Sequence, residues 1–452
     1  VILAAGLGTR FRSDLPKLLH PVAGKPVVSH LLDTLKIVGS SLPISIVIGP
    51  SPDGFKTALG NDLSYVIQSK PKGTGDALLQ ARNHLDGVAE NLLVVNGDVP
   101  LVKPETFNAL MSHHLRDGGV STLLTAIDSP AGELGRITRD RTGSVTGIVE
   151  FADADEGQRK IREVNSGVYC FEASWLWQVL PTLQAGNRGE VFLTDLIGVA
   201  FNTSKKIESR TVEDPLEVLG INTRVDLARA ELLVRQGIRE RWMRDGVTIV
   251  DPPSTFIDST VDIGLDTVLQ PNTYLQGDTS IGGNCNIGPN SIMRDAVVGE
   301  GCQVTASVVD SSTIEAGVAI GHFSHIRPGS YIESGVKVGN YGEVKNSRLG
   351  KGTQMGHFSY IGDAVVGKGV NLGAGTITCN FDGINKNQTV IEDGAFIGSD
   401  SMLVAPIRIG ARSVTGAGAV VTKDVPSDTT VAGSPARRAP GSRRKGSSQK
   451  GV

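Results

Sequence analysis

The chain has 452 residues, enough for two or three domains, and its net charge of −3 gives no global attraction to nucleic acid or to an anionic membrane. Its 56 glycines and its low aromatic content of 5% fit a repeat fold with tight corners. Cys170, Cys285, Cys302 and Cys379 are too scattered to suggest a zinc site or a disulfide framework, no apolar run reaches membrane length and no signal peptide is visible, so a soluble cytoplasmic protein is expected.

In chain order, Val1 to Ala5 is a short buried-strand pattern; the chain opens inside it, so a few preceding residues are expected. It runs into LAAGLGTRFRSDLPK, residues 3 to 17, where Gly6 and Gly8 permit a tight loop whose backbone N–H groups can approach phosphates. Neither a Walker ending nor GxGxxG spacing is present, but Arg10 and Lys17 follow at a distance that can reach a triphosphate. His30 to Val38 reads as an amphipathic helix, and Ile44 to Ile48 and Tyr65 to Gln68 as strands. Gly73, Thr74 and Gly75 open the next helix. Asn91 to Val95 is a nearly continuous apolar strand, as in a parallel sheet covered on both faces, and it ends in NGDVPL. Asp98 is thus expected at the carboxyl end of a central strand, where open α/β sheets bind ligands, either capping the turn or holding magnesium.

Ser121 to Ile127 is a further strand; ELGRI and IVE follow, then EVNSGVYCF and LTDL. The alternation of strands and helices, which gives a Rossmann-like sheet, ends near GINTR at 220 to 224. A polar, charged helix over Val225 to Arg244 connects the two halves.

From about Ile257 to Val425 an aliphatic residue recurs every six positions. Ile257, Ile263, Leu269, Leu275, Ile281 and Ile287 hold one register, and Ile314, Ile320, Ile326, Ile332, Val338 and Val344 a second. Ile391, Ile397, Leu403, Ile409, Thr415 and Val421 hold a third, with Thr415 its one non-aliphatic member. A period of six is that of a parallel β-helix, in which three hexads make one triangular coil of about eighteen residues. Residues one coil apart then lie about 4.8 Å apart. Arg327 and Lys345 stack in this way, either as solvated corners or as a site for an anion between or before them. A column on another face reads His322, Asn340, His357, Ala374, with room for a ligand beside His357.

Together LAAGLGTR…PK, GTGDA, NGDVPL, GRI, VE, NSG, LTD and GINTR resemble the sugar-phosphate nucleotidylyltransferases. HIRPGS (325–330), GEVKNS (342–347), GHFSYIGD (356–363), NLGAGTITCNFDG (371–383) and GSDSMLVAP (398–406) narrow the resemblance to the bifunctional N-acetylglucosamine-1-phosphate uridyltransferase/glucosamine-1-phosphate acetyltransferase family, over nearly the whole chain to about Val425. The resemblance implies an α/β Rossmann-like nucleotidylyltransferase domain at 1–224, a linker helix at 225–249, a left-handed parallel β-helix of hexapeptide repeats at 250–436 and a basic disordered tail at 437–452. It implies acetyl transfer from acetyl-CoA to glucosamine 1-phosphate in the β-helix, then uridylyl transfer from UTP to N-acetylglucosamine 1-phosphate in the first domain. The product, UDP-N-acetylglucosamine, would feed peptidoglycan and other envelope polymers.

The family pattern falls on Leu3, Ala4, Ala5, Gly6, Gln68, Gly73 and Thr74 for uridine, Arg10 and Lys17 for the phosphates, and Gly135, Glu150 and Asn165 for the sugar. Asp98 and Asn222 match the Mg2+ ligands, Asn222 also facing the nucleotide sugar. In the second half, Arg327 and Lys345 match the sugar-phosphate contacts, His357 the general base, and Tyr360 and Asn371 the amino-sugar site. Ala374, Asn380, Phe381, Ser399 and Ala417 match positions around acetyl-CoA. The chain departs from the family at Phe381, where Tyr is expected, and at Ser434, where several relatives place Arg. A homotrimer is implied, with no nucleic-acid or membrane partner. Two rivals are a nucleotidylyltransferase whose β-helix only scaffolds assembly, as in ADP-glucose pyrophosphorylases, and a non-enzymatic module of the translation-factor type. The insertion from Cys379 to Val390 argues against the first, and the intact AAGLGTR, Asp98 and Asn222 set against the second.

Overall fold

The computed structural model describes residues 1–39, 42–129, 133–185 and 189–439. It divides into two compact units, Val1–Val234 and Arg235–Val452, and the division falls inside the helix Arg224–Arg244. The segment 225–249, read above as a connector, is therefore shared between the units, and Ala230 is buried in the core of the first.

Among the described residues, the first unit is built on a nine-stranded mixed sheet. Its strands are β1 (Ile2–Ala4), β2 (Ser45–Ile48), β3 (Ser64–Ile67), β4 (Asn91–Asn96), β5 (Ser121–Ile127), β6 (Arg136–Arg139), β7 (Val145–Val149), β8 (Glu163–Glu172) and β9 (Ile207–Thr211). The main order is β9-β5-β8-β4-β1-β2-β3, with β6 pairing β8 and β7 pairing β6. β1 is parallel to both β2 and β4, so Gly6, Gln68 and Asp98 all follow carboxyl ends on one side of the sheet. This is the crevice where doubly wound sheets bind ligands. The antiparallel β8 carries an irregularity between Asn165 and Tyr169, within NSG. There Gly167 adopts φ +77, and any side chain would collide with the Asn96 amide.

The helix expected from His30 begins earlier, spanning Val27–Val38, because Pro26 precedes it with an extended ψ and Val27 and Val28 are buried on its inner face. LTDL does not add a strand; it leads into the helix Asp195–Asn202.

The second unit is a left-handed parallel β-helix whose strands, among the described residues, stack into three sheets of twelve, ten and nine strands. Its first face begins at Thr248–Ile249, its second at Phe256–Ile257 and its third at Asp262–Ile263. All three hexad registers point inward, and their aliphatic members are buried. Thr415 is tolerated inside because its hydroxyl accepts from the Gly398 N–H at 2.9 Å and lies 2.9 Å from the Ser401 hydroxyl. Between Met293 and Ile314 the coils are shorter than three full hexads, as the register pairs Met293↔Val309 and Val298↔Ile314 show. Arg235 closes the starting end of the second face, donating to the Ile257 carbonyl at 2.9 Å and pairing with Asp258 at 3.0 Å.

At the far end the tail was expected to start at Arg437, but Arg437–Arg438 forms a strand antiparallel to Thr430–Ala432. The turn at Gly433 to Pro435 reverses the chain onto the exposed edge of the last coil. The rest of the expected tail, from 440, lies outside the described residues.

Candidate active sites

In the first unit a cavity of about 460 Å³ opens at the carboxyl ends of β1 and β4. Leu3, Ala4, Ala5, Gly6, Lys17, Gln68, Gly73, Thr74 and Asp98 all line it. Gly73 sits at φ +98 with the Val191 carbonyl oxygen where a Cβ would be, so only glycine fits. The strap is mutual: Gly75 N–H donates to Val191 O at 2.8 Å, and Leu193 N–H to the Thr74 hydroxyl at 3.0 Å. Gln68 is fixed by bonds from its amide to Gly73 O at 3.1 Å and to Asp76 at 2.7 Å. Glu190, Phe192 and Asn96 also line it; Asn96 opens NGDVPL but was given no role, and Glu190 and Phe192 fall in none of the motifs.

Lys17 bridges two residues that the sequence separates widely. Its ammonium lies 2.7 Å from Asp98 Oδ2 and 3.2 Å from Asn222 Oδ1. The Ile221 N–H donates to the Asp98 carbonyl at 2.9 Å, which brings Asn222 beside Asp98. Two oxygen donors thus converge on one point that already holds a cation, the donor set that suits Mg2+ when phosphates supply further ligands. Among the described residues no cluster of three or more His, Cys, Asp or Glu side chains could hold a metal. Arg10 is turned to Glu133, at 2.7 Å, with both side chains more than half exposed.

The three sugar candidates meet where β6 and β7 pair onto β8. Asn165 N–H donates to Gly135 O at 2.9 Å, and a Cβ on Gly135 would lie 3.6 Å from Glu150 Oε2. Glu150 accepts from the Thr194 hydroxyl at 2.9 Å, which gives the LTD motif a positioning role. The Asn165 amide donates to Tyr169 OH at 2.7 Å, and burial pushes that phenol's pKa up, so it stays protonated.

In the β-helix the register Ile320↔Val338↔Met355↔Leu372↔Ile397↔Thr415 runs without a break along the first face. Two residues beyond each lies one corner column: His322, Asn340, His357, Ala374, Ser399, Ala417. The candidate base and three of the coenzyme candidates therefore share a single corner. His357 is exposed there, and among the described residues nothing hydrogen-bonds its ring. Asn371 stands on the strand entering this corner, and Tyr360 on the strand leaving it one coil earlier.

Arg327 and Lys345 follow the paired Ile326↔Val344, one coil apart on the second face. Arg327 donates to Glu343 at 2.7 Å, and Lys345 lies 3.8 Å from Asp363. Asn380 donates to Tyr360 OH at 3.4 Å and also to Asp363, which further accepts from Asn346 at 2.7 Å. Burial works against the Asp363 carboxylate, but these bonds and the charges of Lys345 and Lys386 hold its pKa below the ordinary value. The insertion is closed by Asn387 N–H donating to Asn380 O at 2.7 Å and by a bridge between Phe381 and Lys386. It brings Lys386 against Lys345, a contact that pushes the Lys386 pKa down. Lys386 and Asp363 were missed in the sequence; a lysine inside the phase-breaking insertion was the available signal.

Residues 1–164 match the MobA-like NTP transferase domain family. Residues 388–423 match the bacterial transferase hexapeptide family and 278–309 the hexapeptide repeat of succinyl-transferase. Over nearly its whole length the chain is similar to proteins named bifunctional protein GlmU. It is 45% identical to that of Heliobacterium modesticaldum over 94% of this chain and 93% of the relative. It is 46% identical to that of Geobacillus sp. (strain WCH70), covering 94% and 93%, and 45% identical to that of Carboxydothermus hydrogenoformans, covering 94% and 95%.

Proposed function

The chain belongs to the bifunctional GlmU family, and on that premise we propose that its β-helix acetylates glucosamine 1-phosphate from acetyl-CoA and its first unit joins the product to UMP from UTP, releasing pyrophosphate. It is a nucleotidyltransferase and an acetyltransferase in one chain, acting on small molecules. The observation that supports this reading best is the corner column that aligns His357 with Ala374, Ser399 and Ala417, together with the separate cluster of cations Arg327, Lys345 and Lys386 on the second face.

In acetyl transfer, Arg327 and Lys345 hold the sugar phosphate, while Tyr360 and Asn371 orient the amino sugar. His357 takes a proton from the amine as nitrogen bonds to the thioester carbonyl carbon, and coenzyme A leaves as the C–S bond breaks. Ala374, Ser399 and Ala417 keep the corner small enough for the coenzyme arm, and Asn380 and Phe381 border it. In uridylyl transfer no protein nucleophile is needed, because positioning and charge neutralisation carry the reaction. Leu3 to Gly6, Gln68, Gly73 and Thr74 hold the uridine, and Gly135, Glu150 and Asn165 the sugar. Arg10, once released from Glu133, and Lys17 offset phosphate charge. Mg2+ held by Asp98 and Asn222 supplies further neutralisation when bound.

The active form is a cytoplasmic homotrimer. Among the described residues no helix is long and apolar enough to cross a membrane. The outward residues of the second face, Phe256, Tyr274, Ile292 and Val308 and later Ile377, Met402 and Val420, form the most apolar of the three faces. Its polar interruption is His325, Glu343 and Tyr360, beside the acetyl-transfer candidates.

The test is a pair of assays on the full chain, acetyl-CoA consumption with glucosamine 1-phosphate and pyrophosphate release from UTP with N-acetylglucosamine 1-phosphate. Both are expected to proceed, and Asp98→Ala is expected to abolish the second while sparing the first. Equal loss of both in a folded variant would defeat the two-site reading, and no acetyl-CoA consumption by the unsubstituted chain would leave the β-helix a scaffold.

A further inference from the structure

Lys17 sits where the metal reading requires the metal to sit. Its ammonium contacts Asp98 at 2.7 Å and Asn222 at 3.2 Å, with side-chain exposures of 12% for Lys17 and 21% for Asp98. The backbone segments that carry the two oxygens are held by the framework. Ile221 N–H holds the Asp98 carbonyl, while Asp226 accepts from the N–H groups of Asn222 at 3.2 Å and Thr223 at 2.8 Å. Lys17, by contrast, reaches them on a four-carbon stem, so the ammonium is the movable part. A divalent ion and an ammonium cannot share two oxygens at contact distance, because their repulsion in a largely enclosed site is screened only weakly.

We infer that Lys17 is a resident counter-cation of the Asp98–Asn222 pair, which a divalent metal displaces and which then turns to the phosphates in the adjoining cavity. This rests on Asp98 and Asn222 being metal ligands. The exchange makes metal alone a poor ligand, because it must leave the Lys17 ammonium without partners. With a triphosphate in the cavity, Lys17 trades one set of oxygens for another. Metal and nucleotide should therefore strengthen each other's binding by the same factor. The lysine also balances the Asp98 charge and keeps the two oxygens together, so the metal site is preformed before the nucleotide arrives.

The experiment is equilibrium binding of Mn2+ to the full chain without nucleotide, with free ion read by electron paramagnetic resonance. Lys17→Met and Lys17→Gln are each expected to bind Mn2+ at least about tenfold more tightly than the unsubstituted protein, a change within the usual range of coupling between sites. Arg10→Gln, which removes a charge from the same loop that is held instead by Glu133, is expected to change binding by less than about twofold, as for a screened exposed charge. No tightening in either folded Lys17 variant, or equal tightening in Arg10→Gln, overturns the exchange. Adding Asp98→Asn to Lys17→Met is expected to abolish the gain. If binding stays tight in that double variant, the metal lies elsewhere and the ligand reading itself is what fails.

Discussion

His322 and His357 occupy the same position of one corner, two coils apart, yet the Asn340 side-chain oxygen accepts from the His322 N–H at 3.1 Å, whereas Ala374 follows His357. The first histidine is backed by an amide in the next coil and the second only by the methyl group of Ala374. His357→Ala is expected to lower kcat of acetyl transfer by about a hundredfold or more, the range for loss of a general base. His322→Ala should leave the rate near that of the unsubstituted enzyme. Paired assays at fixed pH decide it. The reverse pattern would move the amino-sugar site two coils toward the start of the stack.

Asp363 gathers Asn346, Asn380 and Lys345 without being one of the groups expected to touch substrate. Asp363→Asn keeps the shape and removes the charge. The KM for glucosamine 1-phosphate should rise by about tenfold, in line with losing charged hydrogen bonds, with a smaller change in kcat. Uridylyl transfer should be untouched. An unchanged KM would mean that the Asn387–Asn380 closure alone keeps the insertion in place.

The apolar second face predicts the assembly. Light scattering at micromolar concentration should give the mass of a trimer. Val308→Glu, which puts a charge on the outward side of that face, should shift the mass toward monomer and depress acetyl transfer while sparing uridylyl transfer. An unsubstituted chain that is monomeric and still active in acetyl transfer would exclude the trimer as the active form.

Burial holds the imidazoles of His30 and His114 below their ordinary pKa of 6.5. His30 donates to the Val22 carbonyl at 2.7 Å, and His114 lies between the Thr122 hydroxyl at 2.8 Å and Asn91 Oδ1 at 3.0 Å. The unfolded chain therefore binds these protons before the folded one does. Their contribution to stability is complete above the unfolded pKa and declines as pH falls below it toward the folded values. Calorimetric Tm should fall between about pH 7 and pH 5, the interval in which histidine titrates, and His114→Gln should flatten the slope. A parallel profile in the variant would place the acid sensitivity in other groups.

The β-helix was legible because an inward aliphatic every six residues leaves a period that no helix or alternating strand produces. The shortened coils near Met293 to Ile314 were not, since a corner that loses a residue erases the phase without changing the inward side chain. For the same reason the column could be followed from His322 to Ala374, but its continuation to Ser399 and Ala417 was hidden by the insertion after Cys379. Asp98 could be placed at a strand end from its apolar run. Its contact with Lys17 and Asn222 could not, because tertiary folding sets that distance and spacing does not encode it. Lys386 lay in the one segment where the repeat gives no coordinates, and only the loop closure at Asn387 brings it to Lys345.

The reversal at Gly433 to Pro435 has a consequence beyond folding. A parallel stack that ended at Thr430–Ala432 would offer a bare ladder of amides and carbonyls in the register of its own repeat, a template onto which the starting coil of another molecule could add. Arg437–Arg438 fills that ladder with a strand of opposite direction and two exposed cations. On this face a head-to-tail addition would meet a strand of mismatched polarity in place of the matching ladder, so the capped edge does not serve as the seed of a fibre.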